Sequence, residues 1–73
     1  MYRMNDSERR VLKLLSSRDS SALALARHLE QDAGRVERMC ERLVSEGLAT
    51  ADNGDPVTYQ ITDAGRDALD RRF

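Results

Sequence analysis

Residues 25–49 carry the feature that most limits what this chain can fold into, a pair of amphipathic helical segments separated by a tight break. The stretch reads LARHLEQDAGRVERMCERLVSEGLA. At about 100° per residue, the second segment gathers its apolar side chains on one face, and these are Ala33, Val36, Met39, Cys40, Leu43 and Val44. Asp32 suits the N-cap of such a helix, and Gly47 stands where a left-handed C-cap is expected. The sequence therefore predicts a helix over about residues 32–46 with one buried face.

The opposite face of this predicted helix is charged and is divided into two stripes. Arg35, Arg38 and Arg42 fall on one stripe, whereas Glu37 and Glu41 fall on the other. Eleven of the twelve basic residues in the chain are Arg, the better bidentate partner for phosphate and guanine, although GC-rich codon usage produces the same excess. The predicted helix thus presents positive and negative charge side by side.

Two further helices are predicted before this one. Asn5 and Glu8 have the spacing of a capping box, and the apolar residues that follow predict a helix to about Ser17. Ser20 or Ser21 suits the N-cap of the next helix. Its buried stripe at helical spacing is Ala22, Leu25, Ala26 and Leu29, with Leu23 and His28 lying off it.

After Gly47 the pattern changes to short strands and then returns to a helix. The segments LATADN and VTYQI flank GDP, which predicts two strands joined by a turn that contains Pro56. Alternation predicts that the inward-facing side chains of the second strand are Val57, Tyr59 and Ile61. Thr62 suits the N-cap of a last helix. We expect the inward-facing residues of that helix to be Ala64 and Ala68, with Leu69 or Phe73.

Length and composition limit the class of protein. A chain of 73 residues holds one small domain, spanning 1–73, and its 15 Leu, Ile, Val and Phe residues exceed the one-fifth share below which disorder is expected. No apolar run approaches the roughly 20 residues of a membrane span, and Met1–Asp6 lacks the apolar region of a secretory signal. We therefore expect a cytoplasmic protein with no membrane association. Cys40 is the single cysteine, so no internal disulfide forms.

The order of these elements resembles a winged helix-turn-helix domain of the MarR/ArsR-like transcriptional regulators. The resemblance covers nearly the whole chain and is carried by residues 25–49 together with YQITDAGRDAL, which is similar to the strand-to-helix exit of MarR-like proteins. The fold it implies is mainly α with a small β-hairpin, in which a three-helix core is followed by a two-stranded wing and a C-terminal helix. In that fold the predicted helix at 32–46 is the recognition helix, which enters the major groove of DNA.

The resemblance also implies which residues contact DNA. Arg35 or Arg38 would bind guanine through two hydrogen bonds, Arg42 would pair with phosphate, and Glu37 would accept a hydrogen bond from cytosine N4. The full set implied is Gly34, Arg35, Glu37, Arg38, Arg42 and Arg27, with help from Arg9, Arg10 and Lys13. The alternative for the arginines is a solvated face balanced by carboxylates three or four residues away.

The chain departs from the family pattern at the wing and at the turn before the recognition helix. The wing tip, residues 52–55, holds Asp52 and Asp55 where many DNA-binding members carry Arg or Lys, and carboxylates repel phosphate. Glu30 and Gln31 replace the glycine and apolar residue that are common in the turn. The net charge is only −1, which also disfavours strong binding to any DNA.

Two functions fit these observations. One is a small transcriptional regulator that binds duplex DNA, as a homodimer because one domain of this size contacts few bases. The other is a winged-helix module that docks on another protein and does not bind DNA. Tyr2, Met4 and Phe73 are apolar residues near the termini that would form either a dimer seam or frayed ends.

Catalytic and metal sites find little support in the sequence. His28 has no second histidine or cysteine at metal-binding spacing and no serine partner, so we expect a surface side chain. Cys40 falls on the predicted core face, where a thiol is buried and inert. We expect neither an enzyme nor a bound cofactor or metal.

Overall fold

The computed structural model describes residues 2–71, which form four helices and three short strands. The elements in chain order are α1 (Asp6–Ser17), β1 (Ser20–Ser21), α2 (Ala22–Leu29), α3 (Ala33–Ser45), β2 (Ala49–Ala51), β3 (Thr58–Ile61) and α4 (Asp63–Asp70). All four helices and the β2–β3 hairpin were predicted from the sequence. The predicted mainly α fold with a small hairpin is therefore confirmed.

Polar side chains begin each helix as the sequence predicted. Asn5 and Glu8 form the capping box of α1, in which the Glu8 N–H donates to Asn5 Oδ1 at 2.7 Å and the Asn5 N–H donates to Glu8 Oε1 at 3.0 Å. Ser21, rather than Ser20, caps α2. Asp32 caps α3, and Thr62 caps α4. Side-chain oxygens satisfy backbone amides that have no partner within the helix, so these residues fix where each helix starts.

The core lies between α1, α2, α3 and the sheet. Its buried members are Val11, Leu12, Leu15, Leu25, Ala26, Val36, Met39, Cys40, Leu43, Ala49 and Tyr59. Ala33 and Val44 are partly buried against it, so the predicted buried face of α3 is confirmed. Gly47 follows α3 with φ of 77°, the left-handed conformation expected of it.

The sheet differs from the predicted two-stranded wing because it contains a third strand. Strand order is β1-β3-β2 with both pairs antiparallel, and Ser20 pairs with Tyr59 while Ala49 pairs with Ile61. β1 is two residues long and has no apolar alternation, so its sequence carries no strand signal. Its hydrogen bonds to β3 form because the end of α1 brings the chain alongside β3.

Two inward-facing residues were predicted wrongly. Val57 precedes β3 and is exposed, whereas Tyr59 is buried and Ile61 is partly buried as predicted. Ala64 is exposed, and its neighbour Gly65 is the buried residue in the first turn of α4. Ala68 and Leu69 are partly buried, and the predicted position of Phe73 lies outside the described residues.

Gly65 allows α4 to lie directly on the chain that leaves α3. A Cβ at this position would overlap the carbonyl oxygen of Leu48 and lie 2.7 Å from Cγ1 of Ile61. Thr62 holds the same junction, because its hydroxyl donates to the carbonyl of Gly47 at 2.7 Å. α4 is thereby fixed against the exit of α3.

Candidate nucleic-acid interface

The outer face of α3 is exposed along its whole length. Asp32 accepts a hydrogen bond from the Arg35 N–H at 3.0 Å and starts the helix, while Val36 and Cys40 anchor its inner face with no exposed surface. The exposed side chains opposite are those of Arg35, Glu37, Arg38, Glu41 and Arg42, with Gly34 near the helix start. The structure therefore brings five of the six predicted DNA contacts onto one exposed surface.

The guanidinium groups of Arg35 and Arg38 have no side-chain partner among the described residues. Within residues 2–71, neither guanidinium forms an ion pair or a hydrogen bond. The carboxylate that stands three or four residues from Arg38 on α3 is Glu41, and among the described residues it makes no salt bridge with Arg38. Both guanidinium groups are available to an external anion.

Arg27, the sixth predicted contact, lies on α2 rather than α3. It is exposed in the last turn of that helix. Among the described residues its side chain has no ion pair either. Arg27 thus adds a third unpaired arginine on the two helices that flank the turn at residues 30–32.

Arg42 has a different environment from the other arginines. Its Nε lies 3.7 Å from Oε2 of Glu8, and its guanidinium carbon lies 5.0 Å from the centre of the Tyr2 ring. Glu8 is 3% exposed although it is a carboxylate. Sequence analysis identified Arg42 and Glu8 separately but did not predict their contact, because 34 residues separate them in the chain.

Tyr2 completes this contact from the start of the chain. Its hydroxyl is buried without a hydrogen-bond partner of good geometry among the described residues. Burial, together with the nearby Glu8 carboxylate, raises the pKa of Tyr2 to about 12. Met4 is also partly buried against the core. Tyr2 and Met4 are therefore both partly buried against their own chain.

The glutamate stripe of α3 affects a tyrosine in the sheet. Burial raises the pKa of the Tyr59 hydroxyl, and the negative charges of Glu37 and Glu41, with the neighbouring Cys40, raise it further. Of the arginine stripe, Arg42 contacts Glu8 at the start of α1.

The tip of the β2–β3 hairpin is acidic, and one of its carboxylates holds the turn together. Asp52 Oδ1 accepts hydrogen bonds from the N–H of Thr58 at 2.9 Å and of Gly54 at 3.1 Å. These bonds lower the pKa of Asp52 below its usual value. Asp55 is exposed and forms no hydrogen bond or ion pair within the described residues. Asp52 therefore has a structural role in the turn, whereas Asp55 contributes only its charge.

Comparison with known proteins identifies the architecture. No protein-family model matches the chain, and no curated protein matches it. Solved structures do match. A complex structure of hsRosR has 26% identity and a TM-score of 0.84 over 90% of this chain and 64% of that chain. Sco5413 of Streptomyces coelicolor, a MarR family transcriptional regulator, has 22% identity and a TM-score of 0.85, and the match covers 90% of this chain and 49% of Sco5413. The transcriptional regulator BldR of Sulfolobus solfataricus has 21% identity and a TM-score of 0.83, and the match covers 90% of this chain and 50% of BldR.

The chain has the winged helix-turn-helix fold of MarR-like regulators. It spans 64% of the hsRosR chain and about half of the other two. In this winged helix, α2 and α3 form the helix-turn-helix, β2 and β3 form the wing, and α3 occupies the position of the recognition helix. These matches are to regulators, which agrees with the prediction that the chain is not an enzyme.

Other predicted features of the winged helix fall outside this surface. Arg9 donates to the carbonyl of Leu69 at 2.7 Å and so connects α1 to α4, while Arg10 and Lys13 are exposed on α1. His28 is exposed, as predicted. In the described part of the chain, no helix is long and apolar enough to cross a membrane.

Proposed function

We propose that this winged helix is a small transcriptional regulator that binds duplex DNA through α3. The observation that carries the proposal is the exposed recognition helix, on which Arg35 and Arg38 have no partner within residues 2–71. Arginine presents a planar fork of donors that matches guanine and phosphate. The structural similarity to transcriptional regulators supports the use of this face.

The proposed contacts divide by type. Arg35 and Arg38 lie in the first half of α3, which in helix-turn-helix proteins lies nearest the base edges. Glu37 is proposed to accept a hydrogen bond from cytosine N4, and Gly34 leaves room for the backbone to approach. Arg27, at the end of α2, is proposed to contact a phosphate beside the groove. The net positive charge of this surface is small, because α3 carries three arginines and two glutamates.

The assembly we propose is a homodimer in the cytoplasm, where DNA is accessible. One recognition helix reads few base pairs, so two copies on a two-fold symmetric site are needed for useful specificity. Sedimentation of the protein with duplex DNA tests the stoichiometry. Two chains for each duplex support the homodimer, and one chain for each duplex contradicts it.

Fluorescence anisotropy with random-sequence duplex tests DNA binding. Random-sequence duplex offers no specific guanine, so Arg35 and Arg38 should each pair with a phosphate there, as Arg27 does. With three such contacts, affinity should fall about 40-fold between 50 and 200 mM salt, since the logarithm of affinity falls by about 0.9 per contact for each logarithm of salt. Arg38→Ala should weaken binding and reduce this slope by about one contact. Arg66→Ala is the matched control, because Arg66 is exposed on α4 and its substitution removes the same charge at a position away from α3.

Two results would contradict the proposal. One is the absence of binding at 50 mM salt, which would favour the protein-docking alternative. The other is an equal loss of affinity in Arg38→Ala and Arg66→Ala, because net charge alone would then account for binding.

A further inference from the structure

Three side chains from distant parts of the sequence meet beside α3, and we call them the Tyr2–Glu8–Arg42 cluster. Glu8 lies in the first turn of α1 and is 3% exposed. Its Oε1 accepts the Asn5 N–H at 3.0 Å, and its Oε2 faces Nε of Arg42 at 3.7 Å. The Arg42 guanidinium lies over the Tyr2 ring, 5.0 Å from its centre. Arg42 is thus held from one side by a carboxylate and from the other by an aromatic face.

A buried carboxylate requires compensation, because removing its charge from water is costly unless it is paired and hydrogen-bonded. The capping box supplies one hydrogen bond and fixes the carboxylate to the start of α1. In the described residues, the only cation within ion-pair distance of Glu8 is Arg42. The ring of Tyr2 adds a cation–π contact to the same guanidinium. The ion pair and this stacking join the beginning of α1 to the middle of α3.

The position of Arg42 on α3 connects this cluster to the DNA-facing residues. Arg42 follows Arg38 by four residues, so the two side chains lie one turn apart on the same helix. Because a helix behaves as a rigid rod over this length, fixing Arg42 against α1 also fixes the direction in which Arg38 and Arg35 point. The Glu8 carboxylate compensates the charge of Arg42, which leaves less of it for a phosphate.

We propose that Arg42 is a positioning residue, which together with Glu8 and Tyr2 sets the angle of α3 on α1 and does not itself contact DNA. This inference rests on the proposed binding of DNA through α3. It gives Arg42 a different role from the phosphate contact that the family resemblance implies. The side chain is 64% exposed, so both roles are sterically open and an experiment can separate them.

Glu8→Gln distinguishes the two roles of Arg42, because the two roles predict opposite changes in the affinity for DNA. The amide oxygen still accepts the Asn5 N–H, but the charge that holds Arg42 is lost. If Arg42 positions α3, the affinity for random-sequence duplex falls about tenfold and the salt slope stays unchanged, because the number of phosphate contacts is the same. If Arg42 contacts phosphate, releasing it and removing a negative charge raises both affinity and slope. The second result overturns the proposal.

Arg42→Lys and Arg42→Ala provide an independent test. Lysine keeps the charge but lacks the planar group that lies over the Tyr2 ring, so the positioning role predicts weaker binding. A point-charge contact to phosphate would survive this change. Arg42→Ala leaves the salt slope unchanged under our proposal, whereas loss of a phosphate contact lowers it by about one. Arg66→Lys and Arg66→Ala are the matched controls, because Arg66 is exposed on α4, outside the Tyr2–Glu8–Arg42 cluster.

Unfolding without DNA distinguishes failure of this inference from failure of the proposed function. A double-mutant cycle of Glu8→Gln and Arg42→Ala, followed by circular dichroism in urea, measures their coupling directly. Coupling in a protein that binds no DNA would overturn the proposed function but keep the link between α1 and α3. Absence of coupling would overturn the inference whatever the DNA result. If Glu8→Gln does not fold, the DNA affinity of Arg42→Lys still distinguishes the two roles of Arg42.

Discussion

Cys40 lies at the centre of the buried face of α3, and its protonation should affect stability. Burial, helped by Glu37 and Glu41, raises the pKa of this thiol from 9.0 to about 12. Above pH 9 the unfolded chain loses a proton that the folded chain keeps, so the contribution of Cys40 is complete below pH 9 and decreases as the pH rises. We expect the free energy of unfolding to fall by about 1.4 kcal/mol for each pH unit between pH 9 and the folded pKa of about 12 because of this group.

Urea unfolding of the wild type and of Cys40→Ala at pH 8, 9 and 10 measures this effect. Tyr2 and Tyr59 are common to both proteins, so the difference between their pH slopes isolates the thiol. The wild type should lose stability between pH 9 and 10 more steeply than Cys40→Ala. Equal slopes would show that the folded thiol ionises normally and is exposed to water.

Glu30 occupies a backbone conformation that suits glycine. It ends α2 with φ of 55° and ψ of 44°, the left-handed region, in which a Cβ is crowded. We expect Glu30→Gly to increase the free energy of unfolding by about 1 kcal/mol. Glu30→Ala is the matched control, because it removes the same carboxylate and keeps the Cβ. A stabilisation of similar size in both variants would assign the effect to charge instead of backbone strain.

Among the contacts between secondary-structure elements, the packing of α4 on the chain that leaves α3 depends on Gly65. A Cβ there would overlap the Leu48 carbonyl, which belongs to the backbone and yields less easily than a side chain. We expect Gly65→Ala to lower the free energy of unfolding by about 2 kcal/mol, although alanine favours helix in general. The thermal unfolding of Gly65→Ala should be compared with that of Gly34→Ala, whose Cβ would meet only the end of the Asp32 side chain. A smaller loss at Gly65 than at Gly34 would contradict the close contact.

The elements themselves were largely predictable, because local signals determine them. Asn5, Ser21, Asp32 and Thr62 start helices through short-range hydrogen bonds, and helical periodicity separates buried from exposed positions. β1 was not predictable, because two serines form a strand only when tertiary structure brings β3 beside them. The burial of Gly65 in place of Ala64 likewise depends on a neighbouring segment and not on periodicity.

At the scale of the whole molecule, charge is divided between the two sides of α3. Glu37 and Glu41 act electrostatically on Tyr59 in β3, and the tip of the hairpin carries Asp52 and Asp55, whereas Arg42 contacts Glu8 of α1. The exposed positions of Arg35 and Arg38 followed from helix geometry. The engagement of Arg42 by Glu8 and Tyr2 did not, since residues 8 and 42 meet only in the folded chain. One sequence stripe of three arginines therefore contains two different environments.

The acidic wing should weaken DNA binding by electrostatic repulsion. We expect Asp55→Asn to raise affinity for random-sequence duplex roughly twofold at 50 mM salt, and less at 200 mM, because the interaction acts through screened solvent. Asp55 is the suitable position, since Asp52 is needed for the turn. Asp70→Asn on α4 is the matched control. An equal gain in both variants would assign the effect to net charge and not to the wing.

Contact between DNA and the first half of α3 can be observed by backbone amide NMR of the labelled protein titrated with duplex. Chemical shifts should change mainly at Gly34, Arg35, Glu37 and Arg38, and at Arg27, and should change little at Asp55 and on the exposed face of α4. Shifts concentrated on α1 and α4, or no shifts at 50 mM salt, would show that α3 does not bind the duplex.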